Sequence, residues 1–179
     1  MSEEQIIKAI SKALKTWYPR DNPLHLDPIH PSAGLAGEAG KLLNLWKKDK
    51  FKPGYSWFEC KNCFDTEERQ CEGEYTLLVI DELGDFWYYL RILYYISGKA
   101  PQYKSIYSAF DIHELLAAMN LGAAIICYDS LDTIWLDICF SCLLTILGKF
   151  DYTLEELTES NWQKLNKRLA TRNHKNPGE

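Results

Sequence analysis

Asp81-Glu82-Leu83-Gly84-Asp85-Phe86-Trp87-Tyr88-Tyr89-Leu90 sets acidic side chains inside an otherwise apolar run. On a helix Glu82 and Asp85 stand at i and i+3, so both project from one face. The flanks, Leu77-Leu78-Val79-Ile80 before and Phe86 to Leu90 after, make that helix largely buried. Ionised carboxylates in a core are costly unless they are paired with cations or bind a metal. Gly34-Leu35-Ala36-Gly37-Glu38-Ala39-Gly40-Lys41-Leu42-Leu43 offers another carboxylate, Glu38, on a helix of small residues that allows close approach. These two helices are expected to face each other and hold a divalent metal between them.

Working outward, every sustained hydrophobic pattern is helical. Ser2 with Gln5 makes a capping box, and Ile6, Ile7, Ile10, Leu14 and Trp17 follow at helical spacing to Pro19. Arg20 to Pro31, with three prolines, reads as an irregular connection. Ser32 is the expected N-cap of the Glu38 helix, whose apolar positions run to a basic end at Lys47-Lys48-Asp49-Lys50. Tyr55 to Glu74 is polar and without period, and reads as an inserted loop. The acidic helix spans Tyr75 to Ser97 and closes at Gly98. Asp111-x-x-Glu114 caps another helix, with Leu115, Leu116, Met119, Leu121 and Ile125 on its buried face. A further apolar helix covers Leu131 to Leu147. Thr153-x-x-Glu156 caps a last one, from Leu154 to about Thr171, with a frayed tail at 173–179. No stretch sustains the period-two alternation of a strand. The expected fold is therefore an all-α helical bundle, one domain over residues 1–179.

Composition narrows the function. With 179 residues, 46% hydrophobic and 13% aromatic, the chain can bury a substantial core. A net charge of −5 argues against binding a nucleic-acid polymer. The first residues, Met1 to Gln5, lack the basic and apolar regions of a signal peptide, which points to a cytoplasmic location. The longest apolar stretch, Ile134 to Leu147, is broken by Asp137 and is shorter than the roughly 20 residues a membrane span needs. Cys127, Cys139 and Cys142 sit in apolar pattern and are expected in the core as small hydrophobes. Cys60-x-x-Cys63 with Cys71 has zinc-like spacing but lacks a fourth nearby ligand, so free thiols are the plainer reading.

Carboxylates suit hard cations such as Mg²⁺, which usually reaches a protein with substrate phosphates completing its shell. Glu38, Glu82 and Asp85, with a basic segment near the C-terminus, thus suggest phosphate-ester or anhydride chemistry. At these residues the chain resembles the MazG-like all-α NTP pyrophosphohydrolases, particularly compact phage-type members. The resemblance is carried by Gly34 to Gly40, by Asp81-Glu82-Leu83-Gly84-Asp85 with Trp87 and Tyr89, and by Asn161-x-x-Lys164-Leu165-x-x-Arg168. It implies Mg²⁺-dependent hydrolysis, Mn²⁺ serving as well, of a nucleoside triphosphate, often a deoxynucleotide, to monophosphate and pyrophosphate. It also implies assembly as a homodimer or homotetramer. By it, Glu38, Glu82 and Asp85 match metal-ligating catalytic residues. Lys41, Tyr89, Asn161, Lys164 and Arg168 are the candidate substrate contacts.

The chain departs from the family pattern at Lys41, where E-x-x-E has its second glutamate, and at Gly37. Lys41 cannot ligate Mg²⁺ as an ammonium. Either the site runs with fewer protein ligands, or Lys41 replaces a metal charge by touching phosphate directly, or the site no longer turns over. A purely structural alternative pairs Glu82 and Asp85 with Lys41 or Arg91.

Overall fold

The structure, a computed structural model, describes residues 27–51, 74–128 and 132–175. The expected helix from Ser2, most of the Tyr55 to Glu74 insertion, Cys60, Cys63 and Cys71 lie outside the described residues. Those described form five α-helices and one 3-10 turn, with no strand among them. They are α1 (Ile29–Phe51), α2 (Glu74–Ser97), the 3-10 turn (Ser105–Ala109), α3 (Ile112–Tyr128), α4 (Thr133–Lys149) and α5 (Leu154–Lys175). The all-α expectation holds.

Local sequence explains most helix ends. Asp111 and Glu114 cap α3 reciprocally, each carboxylate accepting the other residue's backbone N–H at 2.8 Å. Thr153 and Glu156 do the same for α5, with Glu156 Oε2 accepting from Thr153 N at 2.8 Å and Thr153 Oγ1 accepting from Glu156 N at 3.2 Å. Asp132 caps α4 by accepting from Ile134 N. Gly98 ends α2 at φ 66°, a backbone conformation that glycine adopts without a Cβ penalty.

The start of α1 departs from expectation. Ser32 is not its N-cap. Asp27 Oδ1 accepts from Ile29 N at 2.9 Å, and Ser32, already inside the helix, turns its hydroxyl back to Pro28 O at 2.6 Å. Pro31 fits because a first turn has no intrahelical acceptor for its N–H. At the other end of the chain, α5 continues to Lys175, past the expected stop near Thr171.

α1 packs on α2 and α3, α3 on α4, and α4 on α2, closing a four-helix ring; α5 lies on the outer side of α2. Stacking of Trp46 on His113 and the bond from Asn120 Nδ2 to Ala39 O make α1 and α3 antiparallel. Leu35, Leu42, Leu83, Phe86, Leu90, Leu115, Met119, Leu143 and Ile146 share the core. α4 and α5 meet at 97°, across a corner where Asp151 takes φ 52°.

Several facing assignments need correction. Leu121 is exposed and Ile125 only part-buried, and the inner face of α3 runs instead through Gly122, Ala123 and Ile126. The expected face was set by residue type, whereas the helix phase favours the small residues that let α4 approach. Leu77 and Leu78, expected inside, are exposed at the start of α2. Cys127 is exposed, while Cys139 and Cys142 are buried as expected. Asp137, far from merely interrupting α4, accepts from Tyr94 Oη at 2.8 Å and Gln102 N at 3.0 Å. With Ser141 accepting from Lys104 N, it fastens the link after α2 along α4. No single helix among the described residues is long and apolar enough to cross a membrane.

Candidate metal centre

Helical spacing divides α2 among its neighbours. Val79, Leu83, Phe86, Leu90 and Leu93 point into the core. Glu82, Asp85 and Tyr89 share the face toward α1, and Gly84, Tyr88 and Arg91 the face toward α5. On α1 the buried stripe is Leu35, Ala39 and Leu42, and Glu38 falls within it. A carboxylate thus takes a core position at the α1–α2 seam, where Glu38 is only 8% exposed. Close approach of the helices depends on Gly34, because a Cβ there would lie 2.6 Å from Tyr89 Cδ1.

Glu38, Glu82 and Asp85 each bring one carboxylate oxygen to within 4.8 Å of the others. Lys41 Nζ lies 2.8 Å from Glu38 Oε2 and 3.3 Å from Glu82 Oε2. Its charge compensates both of these buried oxygens. Burial pushes the Glu38 carboxyl up to about 7, against the pull of Lys41 and with the neighbouring Glu82 adding to the rise. Lys41 is itself raised, chiefly by its contact with Glu38. Burial also raises the Tyr89 hydroxyl, helped by the charges of Glu38 and Asp85.

α5 closes the other side. Lys164 Nζ lies 2.7 Å from Asp81 Oδ1 and 2.6 Å from Asp85 Oδ2. Asn161 Nδ2 donates to Asp85 Oδ1 at 2.9 Å, and Asn161 Oδ1 accepts from Arg91 Nη2 at 3.2 Å. Trp87 Nε1 donates to Thr158 Oγ1 at 2.9 Å, pinning the helices below the site.

Glu38, Glu82 and Asp85 converge, and Lys41 and Tyr89 stand beside them. Asn161, expected on the nucleotide, is 3% exposed, and both ends of its amide are engaged, with Arg91 and with Asp85. Lys164 is committed to two aspartates. Arg168 is exposed on α5. Arg91, considered as a partner for the acidic pair, is linked to Asp85 through Asn161. Asp81 faces Lys164 on the α5 side. Trp87 lies in the core and Trp46 stacks on His113.

The donor set suits a hard divalent cation. Four carboxylates, of Glu38, Glu82, Asp85 and Asp81, face two ammonium groups, of Lys41 and Lys164. Oxygen ligands are what Mg²⁺ and Mn²⁺ take. No family model matches this chain, nor does any curated protein or solved structure.

Proposed function

We propose that Glu38, Glu82 and Asp85 hold a divalent cation, Mg²⁺ or Mn²⁺, and that the protein hydrolyses a nucleoside triphosphate, expected to be a deoxynucleotide, to monophosphate and pyrophosphate. The observation that carries this reading is the convergence of three carboxylates from two helices, each bringing an oxygen within 4.8 Å of the others. The motif resemblance to MazG-like enzymes supplies the reaction. A divalent cation bound there would neutralise charge building on the phosphates and make water a better nucleophile.

The chain's own groups have separable tasks. Glu38, with its carboxyl near 7, can take up a proton at neutral pH. Lys41, whose side chain is 53% exposed, can turn its ammonium to a phosphate oxygen while staying beside Glu38. Arg168 on α5 offers a second positive charge to the triphosphate. Asn161 and Lys164 hold Asp85 in place. In this reading the protein assembles as a homodimer or homotetramer in the cytoplasm. The Glu82→Gln variant is expected to fold normally and lose both Mn²⁺ binding and turnover; a fully active variant would sink the assignment.

One observation favours a second reading. Lys41 already compensates both glutamates, so the cluster is also suited to holding nucleotide without turning it over. Calorimetry would then find tight nucleotide binding, with no monophosphate formed in the presence of metal.

A further inference from the structure

Arg91 is a charged side chain sealed in the α2–α5 interface, 1% exposed. Its guanidinium lies 5.5 Å from the Trp87 ring centroid and 5.9 Å from that of Tyr88, and Nε donates to Trp87 O at 3.4 Å. Burial lowers its pKa to about 10, which leaves it protonated at neutral pH. A charge this buried has to be hydrogen-bonded, and Asn161 is one of its partners.

Its use follows from the donor inventory. A guanidinium has only N–H donors, and a carboxylate has only acceptors. Asn161 lies between the two. Its Oδ1 accepts from Arg91 Nη2 at 3.2 Å and its Nδ2 donates to Asp85 Oδ1 at 2.9 Å. With the amide turned over, donor would meet donor and oxygen would meet carboxylate. The amide lies close over the α2 backbone, since a Cβ at Gly84 would stand 3.3 Å from Asn161 Nδ2. Lys164 holds the other oxygen, Asp85 Oδ2.

We infer that Arg91 is a positioning residue of the metal centre: through Asn161 it fixes the Asp85 carboxylate in the orientation that faces Glu38 and Glu82. This rests on the metal reading of that cluster. Groups that orient metal ligands at one remove typically control affinity by about 10–100-fold.

The test is Mn²⁺ binding by calorimetry on the full chain, for wild type, Arg91→Met, Asn161→Ala and the double variant, alongside urea unfolding. Arg91→Met is expected to weaken Mn²⁺ by about 10-fold. The double variant should bind no more weakly than Asn161→Ala alone, because Arg91 acts through that amide. Arg91→Lys, which keeps a buried donor, should recover part of the loss and covers the case in which the methionine variant does not fold. Arg91→Met binding Mn²⁺ as wild type does, with only its unfolding midpoint lowered, would reduce Arg91 to packing and overturn the inference, and so would Arg91→Lys binding no better than a folded Arg91→Met. Additive losses in the double variant would overturn it too. Wild type that takes up no Mn²⁺ would instead overturn the metal reading, and the inference with it.

Discussion

Lys164 closes on Asp85 across the α5–α2 interface, its Nζ 2.6 Å from Asp85 Oδ2, with both side chains mostly shielded from water. The same ammonium reaches the more exposed Asp81 at 2.7 Å, so one lysine ties α5 to two turns of α2. Replacing it with methionine would leave Asp85 charged and partly desolvated. The expected cost is about 1–3 kcal/mol, nearly all from the Asp85 arm, because exposed pairs such as the one with Asp81 contribute little. Urea unfolding of Lys164→Met measures it. A loss below about 0.5 kcal/mol would place this pair among ordinary surface pairs.

Stability should carry a pH signature from Glu38. Its carboxyl titrates near 7 in the folded chain against an ordinary value of 4.5. Between those values the folded state binds more protons than the unfolded state, so this contribution is full below about 4.5 and is lost as pH rises toward 7. Unfolding free energies at pH 5, 6 and 7 for wild type minus Glu38→Gln should therefore fall by about 1–3 kcal/mol across the window. A difference that rises with pH would contradict the burial of this carboxyl. Saturating Mn²⁺ should flatten the fall, because a cation takes over from the proton.

Two glycines three residues apart on α1 should respond oppositely to alanine. At Gly34 the added methyl would overlap the Tyr89 ring, forcing α1 from α2, at about 1–3 kcal/mol. Moving Glu38 away from Glu82 and Asp85 should weaken Mn²⁺ binding in the same variant. At Gly37 nothing lies within 4 Å of the new Cβ, and helix propensity alone predicts a gain of about 0.5–1 kcal/mol. Thermal unfolding of the two variants decides this. Equal effects would mean that the helices do not meet at Gly34.

Asp137 separates fold from site. Asp137→Ala would strand the Tyr94 hydroxyl and the Gln102 N–H, at a cost of about 1–3 kcal/mol each for whichever stays unsatisfied. Mn²⁺ affinity should be unchanged, since Asp137 lies on the α4 side of the bundle. Weaker Mn²⁺ binding in this variant would mean that the site senses core packing generally, and would undercut the specific role assigned to Arg91.

The helices were legible because their signals are local. Capping boxes at Asp111/Glu114 and Thr153/Glu156 and the stop at Gly98 each act within a few residues. The misplaced start of α1 shows the limit of that reasoning, since Ser32 and Asp27 are both acceptable caps and only the path of the chain through Pro28 and Pro31 chooses between them. The phase of α3 was lost because Leu121 is apolar yet faces outward, while Gly122, without a side chain, gave no hydrophobic signal. Glu38, Glu82 and Asp85 were found from acidic residues in apolar stripes. The ties of Lys164 to Asp81 and Asp85 could not be, because they span 83 and 79 residues. Arg91 did leave a signal, an arginine in the middle of an apolar helix, but its partner Asn161 is visible only once α5 lies against α2.

The most direct test of the proposed activity is to incubate the full chain with a panel of ribo- and deoxynucleoside triphosphates, with Mg²⁺, Mn²⁺ or chelator, resolving monophosphate and pyrophosphate from diphosphate and phosphate. Metal-dependent release of monophosphate with pyrophosphate, lost in Glu82→Gln, is the predicted result, and it would show that Lys41 is compatible with turnover. Nucleotide bound across the panel without any product would contradict it, and would identify Lys41 as the mark of a site that binds and does not cleave.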